Sequence, residues 1–204
     1  MRAVTSIHKK PALEWGREGV RTIGLETAMH RETVSPLAQA LDTPTLRRIR
    51  RNHALEHASI HMLSRRIGKL ALMGRSDSRG IVLIGRVPTQ LVRRCVEEAL
   101  QRLSKGEHGL AIHPNCGTNM VTTAALGAGA TLAALLGSEP GRRWRRLPLV
   151  VMGIAAALAI GRPLGAKLQE HVTTLPDLGD LHILEIRCIQ IAGLVIHRIE
   201  TMSS

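Results

Sequence analysis

The sequence has 204 residues, enough for one domain or for one domain with an appendage. Lys and Arg total 28 against 16 Asp and Glu, which gives a formal net charge of +12, and 44% of the residues are hydrophobic. This composition excludes a disordered chain, and the charge suits an anionic partner. With two Trp and no Phe or Tyr, the chain lacks the aromatic platforms of single-stranded nucleic-acid binders, so a nucleic-acid partner is not expected.

The cysteines and the N-terminal residues indicate the compartment. Cys95, Cys116 and Cys188 are too few and too scattered for a disulfide framework, which indicates a reducing environment. We expect Cys95 and Cys188 to be core residues of a helix and a strand. Residues 1–16 lack the apolar stretch of a secretory signal, so the hydrophilic part of the chain is expected in the cytoplasm.

The first long element is predicted to be an amphipathic helix. Residues 1–42 show no sustained periodicity and are expected to form a loosely ordered arm. Thr43-Pro44 then suits a helix start, and Gly68 a helix end. At helical spacing one face of this segment carries aliphatic side chains and two histidines, namely Leu46, Ile49, His53, His57 and Ile60. A stripe of arginines lies on the opposite face.

The following segments predict strands and a second helix. Residues 70–73 and 81–84 are expected to form a hairpin or two short strands around a polar turn at 74–80. Apolar residues at helical spacing predict a helix over 88–104. Residues 110–112 are expected to form a short strand that leads into a polar loop.

Two apolar segments, 120–136 and 147–160, predict a helical hairpin. A membrane span needs about 20 apolar residues, so the first segment barely qualifies and the second is short. We favour a membrane hairpin over a buried one, with its four connecting arginines (142–146) reaching anionic lipid headgroups. Residues 183–191 and 194–199, separated by Ala192-Gly193, predict a C-terminal β-hairpin that completes the sheet.

The fold class predicted from these elements is α+β. A metal-site helix packs on a small sheet, and the hydrophobic hairpin is inserted before the C-terminal strands. The chain then divides into an arm at 1–42, an α+β domain at 43–118, the hydrophobic helical hairpin at 119–166 and the C-terminal strands at 167–204.

The first chemical motif is His53-Ala-Leu-Glu56-His57. On a helix, the two histidines lie one turn apart on the same face, where both imidazoles can bind one metal ion. Glu56 lies beside them and can act as a general base. His61, one turn further on, is a possible extra ligand. Two buried histidines that share hydrogen bonds without a metal are the structural alternative.

The second motif is His113-Pro-Asn-Cys116-Gly-Thr-Asn119, after the expected short strand. His113 and Cys116 can face one ion, and a cysteine thiolate is a strong zinc ligand. Either Asn115 or Asn119 could polarise a substrate carbonyl. A buried free thiol next to a turn histidine is the alternative interpretation.

Together these motifs resemble the YqhQ-like family of bacterial membrane proteins, which are predicted metal-dependent enzymes. The matching pieces are residues 53–57, 113–118, 168–169, 173–174 and 176–177, in order along the chain. Ala54-Leu55 stands where members usually have Gly-Ala, which suits a shorter, divergent relative. The resemblance implies a metal site and no particular substrate.

We therefore expect a membrane-associated, metal-dependent enzyme of the inner cell membrane, most plausibly a zinc hydrolase. The metal, Zn²⁺ by preference, is expected to be held by His53, His57 and either His113 or Cys116, with Glu56 as the general base. If all four residues bind the ion, the site is closed and structural. A metal-free basic module that binds a membrane surface is the remaining alternative.

Overall fold

The computed structural model describes residues 36–68 and 72–204. A short helix, α1 (Pro36–Leu41), precedes the long helix α2 (Pro44–Ile67), which follows Thr43 and ends at Gly68 as the sequence predicts. One face of α2 is buried in the core, where Leu55 and Ala58 are completely covered. Residues 1–35 of the predicted arm lie outside the described residues.

The sheet joins strands from both ends of the described chain. Its strands are β1 (Met73–Asp77), β2 (Gly80–Ile84), β3 (His182–Ile191) and β4 (Leu194–Met202), in the antiparallel order β1-β2-β4-β3. The central pair β2 and β4 aligns Ile81 with Ile199, and both side chains are fully buried. The α+β fold class is therefore confirmed, and the C-terminal strands complete the sheet.

The first hairpin lies later in the chain than expected. β1 covers most of the segment predicted to be a polar turn, while residues 69–71 lie outside the described residues. The turn is two residues long, since Asp77 pairs with Gly80 and its carboxylate accepts a hydrogen bond from the Arg79 amide. This strand can contain polar residues because it lies at the edge of the sheet.

The predicted strand at 110–112 is wrong. Helix α3 (Thr89–Ser104), close to its predicted range, is followed by a 3₁₀ turn over His108–Ala111. The carbonyls of Ala111 and Ile112 accept hydrogen bonds from histidines of α2 instead of pairing with a strand. These bonds to side chains satisfy the backbone without a sheet neighbour.

The predicted helical hairpin is present. It consists of α4 (Gly117–Leu135) and α5 (Leu147–Leu168), joined through a 3₁₀ turn at Pro140–Arg146. A π-helical turn, Gln169–Thr173, continues α5. This turn lies at the base of the hairpin, and turns of this kind are rare but occur frequently at functional sites.

Small residues of α5 allow the two helices to approach closely. Gly153, Ala157, Gly161 and Gly165 recur every four residues, so they share one face of the helix. A Cβ added at Gly161 would lie 2.9 Å from the Cα of Thr123. Larger side chains at the glycine positions would therefore push α4 away. Small residues allow the same close approach in the tight helix pairs of membranes.

The outer surface of the hairpin is apolar. The segment Gly141–Thr173 is long and apolar enough to cross a membrane, and 11% of its most apolar window is buried; among the described residues no other helix meets this criterion. Large side chains that are more than half exposed occur on both helices: Met120, Val121, Leu132, Leu149, Val151, Met152, Leu158 and Ile160. The division into four parts stays a prediction.

Candidate metal centre

Helix α2 and the start of α4 bring three potential metal ligands together. His53 and His57 lie one turn apart on α2, with ring centroids 4.3 Å apart. Cys116 is the N-cap residue of α4 and points at them. One donor atom from each of the three residues lies within 4.8 Å of the other two.

Backbone carbonyls orient both imidazoles. His57 Nδ1 lies 2.6 Å from the carbonyl oxygen of Ala111, and His53 Nδ1 lies 2.9 Å from that of Thr173. Since a carbonyl only accepts, each Nδ1 carries a proton, and in the neutral form of each ring the lone pair lies on Nε2. This arrangement is typical of metal-binding histidines, in which the second nitrogen is held by a carbonyl or carboxylate.

The Nε2 atoms of both rings face the site. That of His53 lies 3.4 Å from Cys116 Sγ. That of His57 is buried and has no hydrogen-bond partner in the part of the chain that the structure describes. A buried acceptor without a partner is costly, and a cation bound between the three residues would satisfy it.

The environment of Cys116 favours its thiolate form. Burial acts to raise the pKa of the thiol, but the His57 imidazole and the Thr118 hydrogen bonds outweigh burial, so the pKa is lowered. The Thr118 amide donates to the sulfur across 3.4 Å at the positive end of α4. Two imidazoles and one thiolate suit Zn²⁺ and leave one position of a tetrahedral site for another group.

Glu56 lies next to these ligands and is 6% exposed. Burial raises the pKa of its carboxyl group, against the smaller opposing effects of His53 and a hydrogen bond from Ser76. The carboxylate packs against Gly74 of β1, where an added Cβ would lie 2.4 Å from Glu56 Oε1. Gly74 therefore leaves the space that the carboxylate occupies, a requirement that the sequence did not reveal.

His113 and His61 flank the three-residue group without belonging to it. The ring of His113 lies 5.8 Å from that of His57 and 4.9 Å from that of His61, measured between centroids. His113 Nδ1 accepts a hydrogen bond from the Asn115 amide, while His61 Nε2 donates to the carbonyl of Ile112. Burial and the charges of His61 and His57 lower the pKa of His113 to about 4, so its ring is neutral at physiological pH.

Gln169 and Asn119 connect the metal-site loop to the base of the hairpin. Gln169 Oε1 accepts a hydrogen bond from the His113 amide at 2.9 Å, and its Nε2 donates to Asn119 Oδ1 at 2.8 Å. Asn119 Nδ2 in turn donates to the Pro114 carbonyl. Both ends of the Asn119 amide are occupied by these bonds, which position the loop, whereas Asn115 is exposed. That either residue polarises a substrate carbonyl stays a prediction.

The sequence indicated some of these positioning residues only indirectly. Gln169 and Thr173 lie in two of the segments that resemble the YqhQ-like family, but the resemblance did not assign a role to either residue. The expectation that Cys95 lies in the core is confirmed. The expectation that Cys188 lies in the core is wrong, because this residue is exposed on β3.

A cavity of about 440 Å³ opens beside two of the three potential ligands, His57 and Cys116. His57, Cys116 and Glu56 form one part of its wall, together with His113 and Asn115. The site thus places three potential metal ligands, a buried carboxylate and space for a small molecule next to one another.

Comparisons with known proteins place the chain among proteins without an assigned activity. The model of a family described as a domain of unknown function, DUF6391, matches residues 48–186. An uncharacterized protein of Picosynechococcus sp. is 38% identical over 154 residues, which cover 68% of this chain and 73% of that protein. No solved structure matches. The expected membership in the YqhQ-like family is not confirmed.

Proposed function

The chain belongs to the DUF6391 family, whose function is unknown, and on that premise we propose that it is a membrane-associated, zinc-dependent hydrolase. The observation that supports this proposal best is the position of Glu56. Its buried carboxyl group lines the same cavity as His57 and Cys116. The metal-dependent activity implied by the YqhQ-like resemblance is part of the same proposal.

Three ligands favour an open site over a closed one. Structural zinc sites use four protein ligands, whereas catalytic sites use three and keep one position for water or substrate. His113 is the fourth residue that could close the site, but its Nδ1 already accepts a hydrogen bond from Asn115. The donor set His53, His57 and Cys116 therefore supports catalysis over a structural staple.

The protein's own groups supply the proton transfers. Zinc held by the three ligands would supply a Lewis acid that makes water more acidic and polarises a carbonyl. Glu56 accepts a proton on its carboxylate and returns it to the leaving group, a role for which a pKa raised by burial is suited. His113, neutral and with Nδ1 occupied, keeps a proton on Nε2 and can donate a hydrogen bond from the cavity wall.

Metal content is the direct test of the site. We expect the full chain, purified without a nickel column, to contain about one equivalent of zinc by mass spectrometry, as one three-ligand site requires. His57→Ala and Cys116→Ala should each remove most of this zinc, because each leaves two ligands. Cys188→Ala is the matched control, since that thiol is free and exposed outside the site.

The outcome separates the proposal from its alternatives. Zinc lost equally in Cys188→Ala would indicate a general response to cysteine removal. Wild-type protein without any bound metal would contradict the zinc site and favour a metal-free basic module. Bound zinc that also disappears in His113→Ala would favour a closed, structural site.

Membrane association through the helical hairpin is the second part of the proposal. The apolar outer surface of α4 and α5 supports insertion, with the α+β part of the chain on the cytoplasmic side of the inner membrane. At the tip, Arg142, Arg145 and Arg146 line a cavity of about 340 Å³ together with Glu139. Trp144 beside them is 78% exposed, as suits a residue at the membrane interface.

Anionic headgroups are the proposed partner of this tip. Arg146 donates to the carbonyls of Ala134 and Leu136 and thereby stabilises the end of α4. The double variant Arg142→Gln/Arg145→Gln leaves that contact intact and removes two positive charges. Each charge contributes about 1 kcal/mol to the free energy of binding at an anionic surface. We expect about a 30-fold loss of the preference for phosphatidylcholine vesicles that contain phosphatidylglycerol over pure phosphatidylcholine vesicles.

Vesicle flotation of the full chain at low and high salt measures this preference. Arg93→Gln/Arg94→Gln is the control, because it removes the same charge from exposed positions of α3. Equal losses in both double variants would attribute binding to net charge alone, contrary to a headgroup site at the tip.

A further inference from the structure

We infer that the substrate is a neutral amphiphile, an ester or amide of an acyl chain, whose chain lies along the rim of the cavity that Met73 and Met120 form. This inference rests on the proposed function, because it assigns a substrate class to the same site. It depends on the residues that line the cavity, on the way the cavity meets α4, and on the lack of lysine and arginine in the described part of the wall.

The wall of the cavity is divided by polarity. Glu56, His57 and Cys116 provide the reactive part, and Ile60 and Leu72 provide an apolar part. At the opening, Met73 is 67% exposed and Met120 is 72% exposed. Exposed methionines at a pocket adapt to flexible apolar ligands, so this rim suits a hydrocarbon chain.

The apolar rim continues into the surface of the hairpin. Met120 follows the ligand Cys116 by four residues, about 6 Å along α4. Val121, next to it, is 70% exposed, and exposed apolar side chains continue along both helices. A chain held in the apolar surroundings of the hairpin therefore reaches the cavity along the exposed apolar side chains of Val121 and Met120.

Charge selects the reacting group. The chain has 28 Lys and Arg, yet none of the described residues that line this cavity is a lysine or an arginine. Recognition of phosphate or carboxylate groups uses such side chains as donors. Their absence among the described lining residues, beside the buried Glu56, favours an uncharged ester or amide over an anionic group.

Two hydroxamic acids that differ only in chain length test this inference. Acetohydroxamic acid and octanohydroxamic acid share a zinc-chelating headgroup, and calorimetry on the zinc-loaded full chain in one detergent gives both affinities. Each buried methylene contributes about fourfold. We expect the octanoyl compound to bind at least about 10-fold more tightly, through two or more methylenes on the rim.

Met120→Gln is the informative variant, and Leu132→Gln is its control. Both positions are exposed to a similar degree on α4, at 72% and 67%, but Leu132 lies far from the cavity. We expect Met120→Gln to reduce the ratio of the two affinities to about threefold or less, the loss of one or two methylene contacts. Zinc content and acetohydroxamate affinity should stay as in Leu132→Gln.

The outcomes distinguish this inference from the proposed function. If neither compound binds to the zinc-loaded chain, the site is closed and the proposed hydrolase fails. If both bind equally well, the site is open and the acyl-chain rim is wrong. If octanohydroxamate binds tightly but Leu132→Gln weakens it as much as Met120→Gln, the chain binds the hairpin surface in general, and the inference is overturned.

Discussion

Glu56→Gln is expected to lower the zinc-dependent hydrolysis of a neutral ester such as p-nitrophenyl acetate by about 100- to 10,000-fold. The glutamine preserves the size of the side chain but can neither accept nor return a proton. Because the carboxyl group is not among the three clustered ligands, zinc content should stay at the wild-type level. Initial rates and metal analysis on the same preparation measure both quantities.

The geometry around Glu56 provides a second variant. Gly74→Ala places a Cβ within 2.4 Å of Glu56 Oε1 and must displace the carboxylate. We expect it to reduce the rate at unchanged zinc content, although it leaves the carboxyl group in the protein. Glu97→Gln is the control, since this glutamate is exposed on α3 and pairs only with Arg93 at 3.9 Å among the contacts of the described residues.

Either of two results would contradict a catalytic Glu56. Substantial activity in Glu56→Gln with zinc retained would show that the carboxyl group is dispensable. An equal loss in Glu97→Gln would attribute the effect to a change of charge. In both cases the assignment of Glu56 as the general base would be wrong.

Gly161→Val is expected to destabilise the protein by about 1–3 kcal/mol, the usual range for overpacked sites. The glycine faces Thr123, and an added Cβ would lie 2.8 Å from that residue's Cβ and 2.9 Å from its Cα. Since the Cα belongs to the backbone of α4, a side-chain rotation cannot remove the clash. The two helices must separate, and the contacts between them weaken.

Thermal unfolding in one detergent measures this effect. A chain of this length should lose about 2–4 °C in Tm for each kcal/mol. Gly129→Val is the matched control, because it makes the same change within a helix at a position with no atom within 4 Å of the added Cβ. Equal Tm losses in both variants would attribute the effect to helix propensity and contradict close packing at Gly161.

Several elements follow from local sequence patterns. The helix that carries His53 and His57 was predictable because its aliphatic residues recur at the helical period and Thr43-Pro44 precedes it. The β3–β4 hairpin was predictable because Ala192-Gly193 separates two apolar runs, and the structure shows both residues at the positive φ of a two-residue turn. The polar strand β1 was not, because its pairing partner β2, and not its own composition, makes it a strand.

The amino-acid sequence by itself determined the fold class, the helical hairpin and the two motifs that contain His53, His57 and Cys116, since each depends on residues close together along the chain. Only the tertiary structure decided which donor atoms meet. Thr173 and Ala111 fix the two imidazoles from segments 120 and 54 residues away, and Gly74 of β1 makes room for Glu56. Such contacts arise when separate elements pack against each other, so no local pattern encodes them.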